Sequence, residues 1–218
     1  MTPTFFSGLQ WSDLGFLFEA ALNTCLISIF SISIGSLLGL IFGWIIEETP
    51  FYIGKLVSAV LDIFRSVPIV IQLVIFYNLF PIIGFRLDPM IAGCFVLTIY
   101  MASLVSNIVV GGIQSVPKSL RKASRSLGLS YFQDMRYIVL PVGFRSVSTS
   151  WIGVCLGVLK DSSLVSVIGV VELLRASEIL TTRTQEPLLI LAIVGAFYFV
   201  ISYAVSFLGD RLEKRYES

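Results

Sequence analysis

The sequence predicts an all-α, polytopic membrane protein with five transmembrane helices. Three observations carry this. First, 56% of the 218 residues are hydrophobic and only 13% are charged, with a mean hydropathy of +0.91; soluble domains carry about 25% charge. Second, the apolar residues fall into five runs, each near or above the roughly 20 residues a helix needs to cross a bilayer. Third, the charges gather between those runs and at the chain's end. A single soluble core has no room for so much apolar surface, so lipid is the expected solvent.

The first run, Leu14–Ile46, is longer than one span needs. Ser12 is placed to cap its start, and Glu19 and Asn23 interrupt its early part. The reading is a leading helix near the interface over Trp11–Leu22, then a span to Ile46 that Glu47, Glu48 and Pro50 end. Gly35, Gly39 and Gly43 recur every four residues, which marks a close-packing helix face. The second run, Tyr52–Phe80, is broken by Asp62, Arg65 and Pro68, and Pro68 is expected to kink or unwind it. Pro81, Gly84, Asp88 and Pro89 form a turn region before the third run, Met90–Ile113. The fourth opens after Pro141 and reaches Leu159, where Lys160–Ser163 interrupt it before Leu164–Val171. The fifth, Pro187–Leu208, leads into the charged tail Asp210–Ser218.

Cytoplasmic loops of membrane proteins carry an excess of Lys and Arg. Lys118, Arg121, Lys122, Arg125, Arg136 and Arg145 cluster after the third run, and Arg211, Lys214 and Arg215 follow the fifth. These segments lie two spans apart and so share a side, which Lys55 joins. The other side holds Arg86, Arg175 and Arg183, offset by Asp88, Glu172, Glu178 and Glu186. The expected topology is N-terminus outside and C-terminus inside. No Lys or Arg precedes Lys55, so no signal peptide is expected. The stretch Glu172–Glu186 reads either as a solvated outer loop or as a contact for an external protein.

Several function classes fall away. The chain has no histidine, which removes HExxH metalloprotease and Ser–His chemistry. Cys25, Cys94 and Cys155 sit far apart within apolar runs, with no CxxC, and read as small core residues. A net charge of +1 does not suggest nucleic acid.

The basic segment Ser115–Pro141 reads as two short helices. Ser115 suits an N-cap, with Pro117 in the first turn. Val116, Leu120, Ala123 and Leu127 follow helical spacing on one face, with Arg121 and Arg125 on a more polar one. Gly128 stands where a left-handed C-cap is wanted. Ser130 and Gln133 form an S-x-x-Q capping box. By itself this shape fits a topology signal, an interfacial helix on anionic lipid, or a docking element for a cytosolic protein.

Lys122-Ala123-Ser124, then Gly128, then Ile138-Val139-Leu140-Pro141 resembles the signature of ABC-importer permeases, EAA, three residues, G, nine residues, I-x-L-P. Lys122 replaces the Glu and Ser124 the second Ala. Phe64-Arg65-Ser66-Val67-Pro68, Gly112-Ile113-Gln114-Ser115-Val116-Pro117 and Leu159-Lys160-Asp161-Ser162-Ser163-Leu164 are similar to elements of the polar amino-acid uptake branch of that family. The resemblance runs from about Leu14 to Arg215. It implies the type I importer permease fold (MetI-like), as one transmembrane domain over residues 1–218 with a coupling loop at about 115–141. It also implies docking on a cytosolic ATPase dimer through Lys122, Ala123, Ser124, Gly128, Leu140 and Pro141. Further implied partners are a second permease, identical or homologous, and an extracytoplasmic substrate-binding protein, all in a bacterial cytoplasmic membrane. The chain has no G-x-x-x-x-G-K-[ST], so ATP and Mg would sit on the ATPase and no cofactor on this chain.

Charge inside a span is costly and often functional. Lys160 and Asp161 beside Ser162 and Ser163 either lock helices together or meet the ammonium and carboxylate of a polar amino acid. Arg65 either pairs with Asp62 near an interface or faces a pathway. Tyr100, Ser103 and Asn107 form a polar stripe that glues helices or lines a pore. The alternatives to amino-acid import are a permease for another small polar solute and a secondary carrier driven by an ion gradient.

Overall fold

In lipid, each backbone polar group must find its partner within its own segment, so long apolar runs become helices. The computed structural model describes residues 4–5, 8–82 and 84–217. A short antiparallel ribbon of β1 (Thr4–Phe5) and β2 (Leu9–Gln10) leads into α1 (Trp11–Glu48). Next come α2 (Phe51–Ser66), α3 (Ile69–Ile82), α4 (Pro89–Ser115), α5 (Lys118–Ser126) and α6 (Tyr131–Asp134). A π-helical turn (Met135–Val139), α7 (Leu140–Asp161) and a 3-10 segment (Ser162–Ile168) follow. The chain then forms α8 (Leu173–Thr184) and α9 (Pro187–Glu217). Among the described residues, four stretches are long and apolar enough to cross a membrane: Trp11–Glu48, Pro89–Ser115, Tyr131–Ile168 and Pro187–Gly209. The bent pair α2–α3 makes a fifth if it is one span.

Several sequence expectations change. The leading helix and first span are one unbroken helix of 38 residues. Glu19 is exposed, and the Asn23 amide donates to the Val171 carbonyl at 2.9 Å, so neither polar residue has to interrupt it. Its start is capped by Gln10 with Asp13, whose carboxylate accepts from the Gln10 N–H at 2.7 Å, and not by Ser12. Pro141 does not open the fourth span, because the helix already runs through it from Tyr131. The π turn just before it accommodates the proline, which has no N–H for the ladder.

The second run breaks where Pro68 predicts, and more sharply than a kink. α2 and α3 meet at 101°. At about 24 and 21 Å, neither alone spans the ~30 Å hydrocarbon core. Val67 is extended, as a residue before proline prefers. The Gln72 amide donates to the carbonyls of Phe64 and Val67 at 2.7 Å each, satisfying groups the break leaves open.

The glycine stripe is a close-packing face, as its spacing predicts. A Cβ on Gly35, Gly39 or Gly43 would lie 2.6, 2.5 and 2.5 Å from the Cβ atoms of Met101, Val105 and Val109. α1 and α4 therefore meet backbone to backbone. Around this crossing a core forms from Ile27, Leu73, Leu97, Val158 and Val165. Cys155 is buried in it. A second cluster joins Leu17, Ala20, Leu173, Ala176 and Ile190.

The charged stretch Glu172–Glu186 is no solvated loop. It is α8, with Leu173, Ala176, Ser177 and Leu180 buried, and Glu172 is 0% exposed. The Glu172 carboxylate caps α8, accepting from the N–H groups of Leu174 and Arg175 at 2.8 Å each and from the Tyr198 hydroxyl at 3.1 Å. Burial pushes this carboxyl above its ordinary range, and those donors oppose the shift. Arg175 pairs with Glu178 at 2.8 Å and Arg183 pairs with Asp13. Glu172→Ala leaves two N–H groups and a buried hydroxyl without their acceptor. It is expected to cost about 1–3 kcal/mol, read as a lower Tm of the purified protein in detergent. An unchanged Tm would mean that water replaces the carboxylate without loss.

Candidate functional site

Two sets of polar residues stand out from the apolar bundle. The first is the hairpin of α5 and α6. Ser115 is the last residue of α4 and not the cap of α5; its hydroxyl lies 2.7 Å from both the Gly112 carbonyl and the Ser146 hydroxyl. Pro117 takes the N-cap position, where its missing N–H costs nothing. α5 ends at Gly128, whose φ of +83° is the left-handed cap the sequence predicts. The N–H of Gly128 reaches the Arg125 carbonyl at 3.0 Å, and that of Leu129 reaches Ser124 at 3.1 Å. The Ser130–Gln133 capping box is also present.

The inner face of α5 is not the one the hydrophobic spacing suggests. Val116 is buried, but Leu120 and Leu127 are 41% and 81% exposed, and Ala123 is exposed. Ser124 and Arg121 turn inward instead, because the surface beneath them is acidic. Arg121 donates to Glu48 at 2.7 and 3.3 Å and to Asp134 at 3.1 Å, and the Ser124 hydroxyl also donates to Asp134. Hydrogen bonding to Glu48 foremost, and then to Asp134, holds the Arg121 guanidinium above even its usual range. Beside this cluster the Trp44 indole N–H donates to the Tyr131 hydroxyl at 2.8 Å, and Arg125 lies over the Tyr131 ring at 5.5 Å.

The predicted coupling residues thus divide. Lys122, Ala123 and Gly128 are exposed on the hairpin, and Ser124 is buried beneath it. Leu140 and Pro141 are exposed on the long helix behind it. The sequence reading missed Glu48 and Asp134. Neither lies at a spacing that pairs it with Arg121, since the partners are 73 and 13 residues away.

The second set runs along α4. Asp161 ends α7, half-buried, within electrostatic range of Tyr100. The Ser103 hydroxyl donates to the Tyr100 carbonyl at 2.7 Å. Arg65 pairs with Asp62 at 2.6 Å and also donates to the Ser103 carbonyl at 2.8 Å and the Ser106 hydroxyl at 3.4 Å, tying α2 to α4. Asn107 is exposed on α4, about 10 Å along the axis from Tyr100. Lys160 is exposed, while Ser162 is buried with its hydroxyl on the Leu159 carbonyl at 2.7 Å, and Ser163 donates to Lys160 at 2.8 Å. The fold therefore sets Asp161 within electrostatic range of Tyr100, and Arg65 meets α4 farther along, at Ser103 and Ser106. Ser162 faces its own helix.

The comparisons with known proteins agree with this architecture. The family described as "binding-protein-dependent transport system inner membrane component" matches residues 35–218. The chain is 30% identical over 218 residues to the probable glutamine ABC transporter permease protein GlnP of Bacillus subtilis (strain 168), covering 97% of this chain and 98% of that one. It is 30% identical over 207 residues to the arginine transport system permease protein ArtQ of the same organism, covering 93% of each. Among solved structures, one described as an amino acid ABC transporter with histidines aligns with a TM-score of 0.84 at 27% identity, over 93% of this chain and 94% of that chain. An inward-facing MetNI methionine ABC transporter shares the fold, with a TM-score of 0.83 at 20% identity over 95% and 99% of the two chains. With a helical bundle of matching form and a family match over most of its length, the chain belongs to the binding-protein-dependent transport system inner membrane components, the permeases of ABC importers.

Proposed function

We propose that this permease imports a polar amino acid into the cytoplasm as one half of a membrane pore. Its α5–α6 hairpin docks on a cytosolic ATPase dimer. The observation that carries the reading is the hairpin itself. It is capped at each turn, anchored from beneath by Arg121, and exposes Lys122, Ala123 and Gly128 outward. A mere topology signal needs charge but none of this shape. The relatives named for glutamine and arginine support a polar amino acid as the cargo.

In this reading residues 1–218 act as one transmembrane domain in a bacterial cytoplasmic membrane, N-terminus outside and hairpin inside. A second permease completes the pore, and an extracytoplasmic binding protein delivers the substrate. Hydrolysis, with its ATP and Mg, belongs to the ATPase, and this chain carries no cofactor and catalyses no reaction. Transport is alternating access: the ATPase shifts the balance between inward-open and outward-open states by binding them unequally. Asp161 with Tyr100, Lys160 and Ser163 lines the pathway, with Asn107 and Arg65 farther along it. Buried Ser162 supports the turn.

The test is uptake into proteoliposomes holding the permease, the ATPase and the binding protein. Uptake is expected only with ATP. Asp161→Ala is expected to lower it about tenfold or more, equivalent to about 1.4 kcal/mol, with unchanged co-purification of the ATPase. Uptake by the permease alone, driven by an ion gradient, would establish a secondary carrier instead. Normal uptake by the variant would remove Asp161 from the pathway.

A further inference from the structure

We infer that Arg121, through Glu48 and Asp134, is the linkage by which the hairpin moves α1, a positioning residue for transport and not a contact with the ATPase. This rests on the docking role proposed above. Arg121 joins two carboxylates from separate elements: Glu48 is the last residue of α1, and Asp134 the last of α6. Their side chains are 11% and 0% exposed, and that of Arg121 is 25% exposed. One turn earlier on α1, Trp44 is held by Tyr131 at 2.8 Å. Glu47 accepts from Gln114 at the end of α4 at 2.8 Å. The last turns of α1 are thus gripped by α5, α6 and α4 through polar bonds.

The physics makes this grip a rigid one. Opening it would leave a buried carboxylate without its cation, which is far costlier than keeping the pair. A displacement of α5 is therefore passed to the end of α1 and not absorbed by the loop. α1 is about 57 Å long. The glycine stripe binds it to α4 along its middle, and its other end packs against α8. A push at Glu48 moves that pair as one body past α7 and Asp161.

The test uses the permease–ATPase complex with its binding protein in proteoliposomes. Arg121→Gln combined with Asp134→Asn removes the cation and the buried charge together. With Glu48→Gln, at a residue of α1 outside the hairpin, the ATPase is expected to co-purify and hydrolyse ATP at its basal rate. The stimulation of hydrolysis by loaded binding protein, and uptake per ATP, are expected to fall about tenfold, within the usual range of coupling between sites. Arg121→Lys is expected to restore most of both, which a role in stability alone would not require. Glu48→Gln keeps the Arg121–Asp134 pair, so it is expected to fold even if the double variant does not, and to show the same uncoupling. Unchanged stimulation and uptake in these variants would overturn the inference. Loss of the ATPase from the Glu48→Gln complex would also overturn it, by making the cluster part of the docking surface. Failure of the docking reading itself shows separately, as full ATPase binding by a Gly128→Leu permease.

Discussion

Leucine in place of Gly39 is expected to stop this permease from accumulating in the membrane, and alanine there to destabilise it by about 1–3 kcal/mol, the usual range for overpacking. The first added carbon would lie 2.5 Å from the Val105 Cβ and 3.0 Å from the Ala102 carbonyl oxygen. Neither atom is the far end of a flexible side chain, so the only relief is to part α1 from α4. That separation also unseats Gly35 from Met101 and Gly43 from Val109. In lipid the loss is felt fully, because close packing is what holds spans together. Gly153→Ala is the control: a Cβ there meets nothing within 4 Å. Tm in detergent and the amount of protein in the membrane measure both effects. A Gly39→Ala permease as stable as the Gly153→Ala one would show that the crossing is looser than described.

Gly128→Leu is expected to abolish co-purification of the ATPase while the permease still inserts. Two effects add at this position. A φ of +83° costs a side-chain-bearing residue about 1–2 kcal/mol, enough to reset the turn between α5 and α6. The leucine would also project from the exposed corner that Lys122 and Ala123 share. Pull-down of the ATPase on the tagged permease reads the result. Full recovery with the variant would take the hairpin out of the interface.

The parts of this fold that could be read in advance follow from local chemistry. Pro68 breaks the second run because a proline in a helix interior has no N–H for the ladder and pushes the residue before it, Val67, into an extended conformation. Gly128 caps α5, and Ser130 with Gln133 caps α6, because those bonds close within a few residues. Gly35, Gly39 and Gly43 announce a close approach because they share one helix face. Ser12 and Ser115 are good caps by type, but Gln10 with Asp13 and Pro117 hold those positions. Pro141 suits a helix start by type, but a π turn carries the helix through it.

Composition and neighbours along the chain already show that it lives in lipid, where its main apolar spans lie, and that the loop after the third span folds as a capped hairpin; they do not show that α1 is unbroken, that α8 is a helix, or that α9 continues to Glu217. Which side of that loop faces inward depends on packing between distant segments. Leu120, Ala123 and Leu127 share a helix face, yet Arg121 and Ser124 are the residues turned to the bundle. The reason is that Glu48 and Asp134, distant in sequence, supply carboxylates beneath α5, and leaving a buried carboxylate without its cation costs more than leaving a leucine exposed at the edge of the bundle. The same holds for Glu172, which reads as a loop charge until α8 folds over it, and for Asp161 and Tyr100, which only the packing of α7 on α4 brings within range.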